Sequence, residues 1–127
     1  MKYIGCSKDF LTKWLKFQNK NWALPIYQID HIIPLNKFDL HNPNEQEIAF
    51  HWTNLQPLLK SKNLQKKDKI RVYEVCNNFI NIFKFHLTKI DLDVIRKRKQ
   101  WFTNYLQHIQ IAGNPLEPYL PPLIRND

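Results

Sequence analysis

The stretch Ile26-Tyr27-Gln28-Ile29-Asp30-His31-Ile32-Ile33-Pro34 decides how the chain is read. Its β-branched and aromatic residues from Ile26 to Ile29 suit a short strand, which ends at the polar pair Asp30-His31. Residues 34–43 are rich in Asn, Asp and Pro and keep neither the helical nor the strand period, so they read as a loop. Glu45 to His51 forms one or two helical turns with Asn44 as cap, and Thr53 to Leu58 fits a second short strand stopped by Pro57.

Outward from these strands the pattern is helical. Ser7 can N-cap a helix near 7–18, in which Phe10, Leu11, Trp14 and Leu15 make one buried stripe. Ser61 offers an N-cap for a basic helix. Val72, Val75, Cys76, Phe79, Ile80, Phe83 and Leu87 keep helical spacing over 70–87. A further helix has Asp91 or Asp93 as cap, an apolar face of Val94, Ile95, Trp101, Phe102, Tyr105, Leu106 and Ile109, and Gly113 before Pro115 as its end. Residues 114–127 hold four prolines and read as an extended tail. The class is α+β: two short strands, an N-terminal helix and two longer C-terminal helices in one domain spanning 1–127.

Composition excludes several alternatives. With 43% hydrophobic residues, 8 Phe, 5 Tyr and 4 Trp, the 127 residues can fill a core, which argues against a disordered chain. No apolar run approaches the roughly 20 residues needed to cross a bilayer, so no membrane partner is expected. The first residues show no apolar signal region, and the expected location is intracellular, in host cytoplasm or nucleus if the source is viral. Cys6 and Cys76 are the only cysteines and form no Cys-x-x-Cys pair, so any metal must use oxygen and nitrogen ligands.

The net charge of +8 is unevenly spread. Residues 60–71 carry Lys60, Lys62, Lys66, Lys67, Lys69 and Arg71 against Asp68, and Arg96-Lys97-Arg98-Lys99 adds four more positive charges. Charge concentrated this way is the footprint expected for a polyanion, because each neutralised phosphate releases condensed counterions. Arg98 flanks the apolar side of its helix, which leaves Arg96, Lys97 and Lys99 as the expected phosphate contacts there. The ordinary alternative is a solvated Lys-rich helix face.

Asp30, His31, Asn54 and Asn63 each sit at the edge of an expected element. A histidine at a strand end can act as general base, since its ordinary pKa of roughly 6.5 leaves the neutral form dominant at pH 7. Adjacent strand residues point to opposite faces, so Asp30 and His31 can serve one site only if the chain bends there. Asn63 can present its side-chain oxygen beside the Asp30 carboxylate, and two hard oxygen ligands suit Mg²⁺. As spacing alone, an Asp-His pair and two asparagines are equally compatible with ordinary structural residues.

The surrounding sequence narrows this. Ile29-Asp30-His31-Ile32-Ile33-Pro34, Phe50-His51-Trp52-Thr53-Asn54-Leu55-Gln56-Pro57-Leu58, and Lys62-Asn63-Leu64 leading to Lys67-Asp68-Lys69 closely resemble the His-Asn-His (HNH) endonuclease family. Tyr3-Ile4-Gly5-Cys6-Ser7 with Phe10-Leu11 and Trp14-Leu15 is similar to the leader of HNH proteins of large DNA viruses and phages. The resemblance covers residues 3–70. It implies a ββα-metal core at 26–70 between a lead-in at 1–25 and a helical extension at 71–113, and metal-dependent cleavage of DNA. It also implies roles: His31 as general base, Asp30 and Asn63 as ligands of Mg²⁺ or Mn²⁺, and Asn54 as the brace of the loop carrying His31. Asn63 stands where many relatives have a histidine, which favours Mg²⁺ or Mn²⁺ over zinc. The four-cysteine zinc clamp of some relatives is absent, so packing of the C-terminal helices must replace it.

His51, between Phe50 and Trp52, reads as a structural histidine, with an additional active-site role as the alternative. Two other functions stay open at this point: an inactive basic module for DNA or virus-host contacts on a nuclease fold, and an RNA nuclease. Oligomeric state is not legible.

Overall fold

A computed structural model of the chain describes residues 5–66, 69–85 and 92–109. Among them the architecture is mixed α+β, with five α-helices around one two-stranded antiparallel sheet. The order is α1 (Lys8–Gln18), β1 (Tyr27–His31), α2 (Pro43–Phe50), β2 (Leu55–Leu59), α3 (Lys60–Lys66), α4 (Val72–Phe85) and α5 (Leu92–His108). No helix among the described residues is long and apolar enough to cross a membrane.

Helix α1 begins as its sequence indicates: the Ser7 hydroxyl accepts a hydrogen bond from the Phe10 amide at 3.1 Å, satisfying one of the unpaired donors of the first turn. Leu11, Trp14 and Leu15 are buried, and the Trp14 indole donates to the Leu55 carbonyl at 2.9 Å, which fastens α1 to the start of β2. Around that bond Phe10, Trp14, Trp52 and Phe85 form an aromatic cluster with ring centroids 4.9–5.5 Å apart for four of its pairs, the tilted and edge-on packing that aromatic quadrupoles favour.

Several boundaries differ from the sequence reading. The cap of α2 is Asn42, whose side chain accepts from the Asn44 amide at 2.9 Å, because Pro43 is well suited to the first helical position. The second strand starts later and runs through Pro57 to Leu59, while Trp52–Asn54 forms a 3₁₀ turn. Pro57 is tolerated opposite Ile29 because a two-stranded sheet leaves each strand one unpaired edge, where a missing N–H costs nothing. Helix α3 starts at Lys60 directly off the strand, so Ser61 lies in its first turn and is not its cap. Asp93 likewise sits inside the first turn of α5, and Asp91, Gly113 and the Pro-rich tail lie outside the described residues.

The C-terminal helices close the core. Val75, Phe79 and Ile82 of α4 are buried with Val94, Ile95, Phe102 and Leu106 of α5. Arg98 is buried with them at 0% exposure, so the basic run is interrupted where it meets the core. Its guanidinium donates to the Asn78 side-chain oxygen at 2.8 Å and the Thr53 carbonyl at 3.3 Å, and lies 5.1 Å from the centre of the Phe79 ring. Burial alone pulls the Arg98 pKa down to about 9, which still leaves it charged at pH 7. Arg98→Ala removes the donor to the buried Asn78 side-chain oxygen and leaves a cavity where a large buried side chain stood, and is therefore expected to destabilise the fold by about 2 to 5 kcal/mol in urea unfolding.

Candidate active site

The chain bends just after β1, and two side chains hold the bend. Within the sheet Asp30 pairs with Gln56 and His31 with Leu55. Beyond it the Ile32 amide donates to the Asn54 carbonyl at 2.8 Å. The Asn54 side chain, fully buried, accepts from the Ile33 amide at 2.9 Å and donates to the carbonyls of Ile33 and Ala49, both at 3.0 Å. From the other direction the Lys66 ammonium donates to the carbonyls of His31 at 2.9 Å and Ile32 at 3.1 Å. The polar backbone groups from the His31 carbonyl to the Ile33 carbonyl are thus all paired, as buried peptide groups must be.

Lys66 spends its third donor on Asp30, 2.6 Å from Oδ2. The same oxygen accepts from Gln56 Nε2 at 2.9 Å, and the Gln56 amide reaches Glu74 Oε2 at 3.5 Å. Glu74 lies 3.6 Å from Lys66 and 3.6 Å from Arg71. Two carboxylates, Asp30 and Glu74, therefore share one fully buried ammonium.

His31 is half-buried, with its ring edge-on to Phe50 at 6.3 Å. Among the described residues its ring nitrogens make no hydrogen bond. Partial burial pulls its pKa below the ordinary value and the Lys66 charge adds to that, outweighing the opposing pull of Asp30, so the imidazole is neutral at pH 7. Asn63, half-buried on α3, stands three residues before Lys66 and so shares the helix face that meets Asp30. Its amide side chain has no partner among the described residues.

Asp30 Oδ1 and the Asn63 side-chain oxygen both lack a hydrogen-bond partner among the described residues, and both are the hard oxygen donors a divalent cation prefers. The described residues contain no group of three His, Cys, Asp or Glu side chains fit to hold a metal. A cation here would rest on one carboxylate, one amide and ligands from outside the chain. On that chemistry the residues fit a weakly held Mg²⁺ or Mn²⁺ better than a fully protein-ligated ion.

The basic residues divide into two groups. Lys60, Lys62 and Lys69 are exposed, as is Arg96. Lys66 and Lys99 are not: exposure is 0% and 4%, so neither is available to a nucleic-acid backbone, contrary to the charge-run reading. Lys66 is drawn inward by two acids, and Lys99 lies one position from Arg98 on the inward side of α5. Lys97 is paired with Glu47 at 3.2 Å and Asp93 at 3.1 Å, which takes up its charge. Arg71 is partly covered and paired with Glu74, and Lys67 lies outside the described residues.

His51 is buried, and its Nδ1 faces the Thr53 hydroxyl at 2.9 Å and the Thr53 amide at 3.3 Å. A Cβ on Gly5, whose φ is +75°, would stand 2.8 Å from the other edge of that ring. His51 is accordingly a cap beneath the leader, and the active-site alternative falls away for lack of access. Sequence reading missed Gln56, Glu74 and the inward course of Lys66. The only signal was Glu74, the first carboxylate after a strongly basic stretch.

No protein-family profile matches the chain, and no solved structure does. The chain is similar to two uncharacterized proteins of Acanthamoeba polyphaga mimivirus. One is 36% identical over 92 residues, covering 68% of this chain and 40% of the relative; the other is 33% identical over 89 residues, covering 66% and 39%. The chain thus spans about two-fifths of the length of the curated relatives it matches.

Three buried hydrogen bonds run through the Asn54 side chain. With about 1 kcal/mol for each bond and a further penalty for stranded backbone groups, Asn54→Ala should cost about 2 to 4 kcal/mol in urea unfolding.

Proposed function

We propose that this chain is a nuclease domain of the HNH type, which hydrolyses DNA phosphodiester bonds with one Mg²⁺ or Mn²⁺ ion. The observation that carries the reading is a neutral His31 imidazole, without a hydrogen-bond partner among the described residues, next in sequence to Asp30 at the start of a backbone bend that Asn54 clamps. The succession of antiparallel β1 and β2 followed at once by α3, with Asn63 on its inward face, supports a ββα-metal core. Similarity to mimivirus proteins agrees with the viral HNH resemblance of the leader without indicating any activity. The domain is taken to act on DNA inside the cell.

Phosphodiesters resist attack because their charge repels nucleophiles, so hydrolysis needs a base on water and charge stabilisation at the phosphate. His31 supplies the base, since its lowered pKa keeps it able to accept a proton at neutral pH. Asp30 and Asn63 would hold the cation, which when bound neutralises charge on the scissile phosphate. Asn54 fixes the backbone directly after His31 and so limits where the imidazole can be placed. Lys60, Lys62 and Lys69 are exposed around α3 and would hold the DNA backbone without reading bases, so sequence preference should be weak.

Supercoiled plasmid should be cut with Mg²⁺ or Mn²⁺, and cutting should stop with excess EDTA or with His31→Ala; cleavage by the alanine variant would remove His31 from the role of base. The rate should rise as His31 loses its proton, so the acid limb of the pH profile should have its midpoint below the ordinary histidine value of roughly 6.5. Changing Lys60, Lys62 and Lys69 together to Gln should flatten the slope of log K against log[salt] by about 2.7, at roughly 0.9 per lost phosphate contact. An unchanged slope would assign these lysines to solvated surface.

A further inference from the structure

The Lys66 ammonium is the least expected group in the site. Its three donors go to Asp30 Oδ2, the His31 carbonyl and the Ile32 carbonyl, and Glu74 stands 3.6 Å away. Those contacts complete its hydrogen-bonding capacity, and it has no exposed surface through which to leave. A permanent cation is therefore built into the carboxylate that the nuclease reading assigns to the metal. An Asp30 already neutralised through one oxygen retains little net charge to draw a second cation, and the fixed ammonium repels it.

We propose that Lys66 prevents Asp30 from retaining a divalent cation on its own, so that the cation is held only together with a phosphodiester of the substrate. This rests on the nuclease reading and adds to it an order of assembly. The phosphate brings the negative charge that Lys66 has removed, which matches the habit of Mg²⁺ to bind through one or two carboxylates plus substrate phosphates. By linkage the effect is reciprocal: whatever factor DNA contributes to cation affinity, the cation contributes to DNA affinity. Glu74 and Gln56 keep the arrangement in place, Glu74 by sharing the ammonium and Gln56 by bridging the two acids.

The test titrates Mn²⁺ into the full chain without DNA and follows free Mn²⁺ by electron paramagnetic resonance. Wild type should bind weakly, whereas Lys66→Met should bind about tenfold tighter or more once the competing charge is gone. Adding Asp30→Asn to Lys66→Met should abolish the gain. Wild type binding as tightly as Lys66→Met, or a gain that survives Asp30→Asn, would overturn the proposal. Lys66→Met leaves two buried acids without their cation, so it is judged only if its far-UV circular dichroism matches wild type. A second measurement stands without it: in the cleavage-deficient His31→Ala chain, Mn²⁺ should broaden the NMR signals of the Asn63 side-chain amide in the presence of a short duplex, at a concentration that leaves them sharp without it. Equal broadening in both overturns the idea. Plasmid cleavage by wild type in Mg²⁺ reports separately on the nuclease reading, so each can fail alone.

Discussion

A single buried ammonium organises the site. Burying a lysine without partners would be prohibitive, and Lys66 is tolerated because its three donors and two neighbouring carboxylates meet its charge and geometry at once. Those partners come from β1, the bend after it, and α4, so satisfying one side chain aligns three parts of the chain. The Asp30–His31 bend follows as a consequence: the strand cannot continue straight while its next two carbonyls converge on one nitrogen.

Asn54 is the complementary anchor, and its support comes from far along the sequence. Asn78 donates to the Thr53 carbonyl at 2.9 Å, and Arg98 donates both to that carbonyl and to Asn78. A chain of contacts therefore runs from α5 through α4 to the residue before Asn54, and from Asn54 to the peptide following His31. Helix α2 is tied to α5 in its own way, by the Trp101 indole donating to Glu45 at 3.0 Å and by the Lys97–Glu47 pair. The C-terminal helices thus constrain the strand bend by packing and buried polar contacts.

The elements legible in the sequence were those with a local cause. Ser7 caps α1 through a contact three residues away, and the stripes of α1, α4 and α5 follow from helical period, so α1 appears within a residue of its expected bounds and α4 starts within two; the expected ends of α4 at Leu87 and α5 at Gly113 lie outside the described residues. The capping error at α2 arose because Asn42 and Asn44 are equally good caps in isolation, and only the position of Pro43 decides between them. Candidate site residues were visible through a resemblance over short motifs. What could not be read was the direction taken by each charge. Lys66, Arg98 and Lys99 belong to runs of like charge that look solvated, yet each turns inward, and for Lys66 and Arg98 the partners that draw them lie 8 to 45 residues away in sequence. Charge density along a chain is a property of composition, whereas burial depends on partners that only the fold brings together.

Arg98 carries a consequence for how the molecule comes apart. Its guanidinium sits among buried apolar side chains with its Nε unpaired among the described residues, so this buried charge has its polar compensation from two acceptors at one spot. Sliding the helix by a residue would place that charge against hydrocarbon, and α5 thus has one docked position and no good second choice. Opening α5 takes the Arg98 donor from both the Thr53 carbonyl and Asn78, leaving Asn78 alone to hold that carbonyl, and so loosens the footing of Asn54. The amides of Ile32 and Ile33 should accordingly exchange with solvent in step with those of α5, making the bend after β1 and the last described helix one cooperative unit despite their distance along the chain.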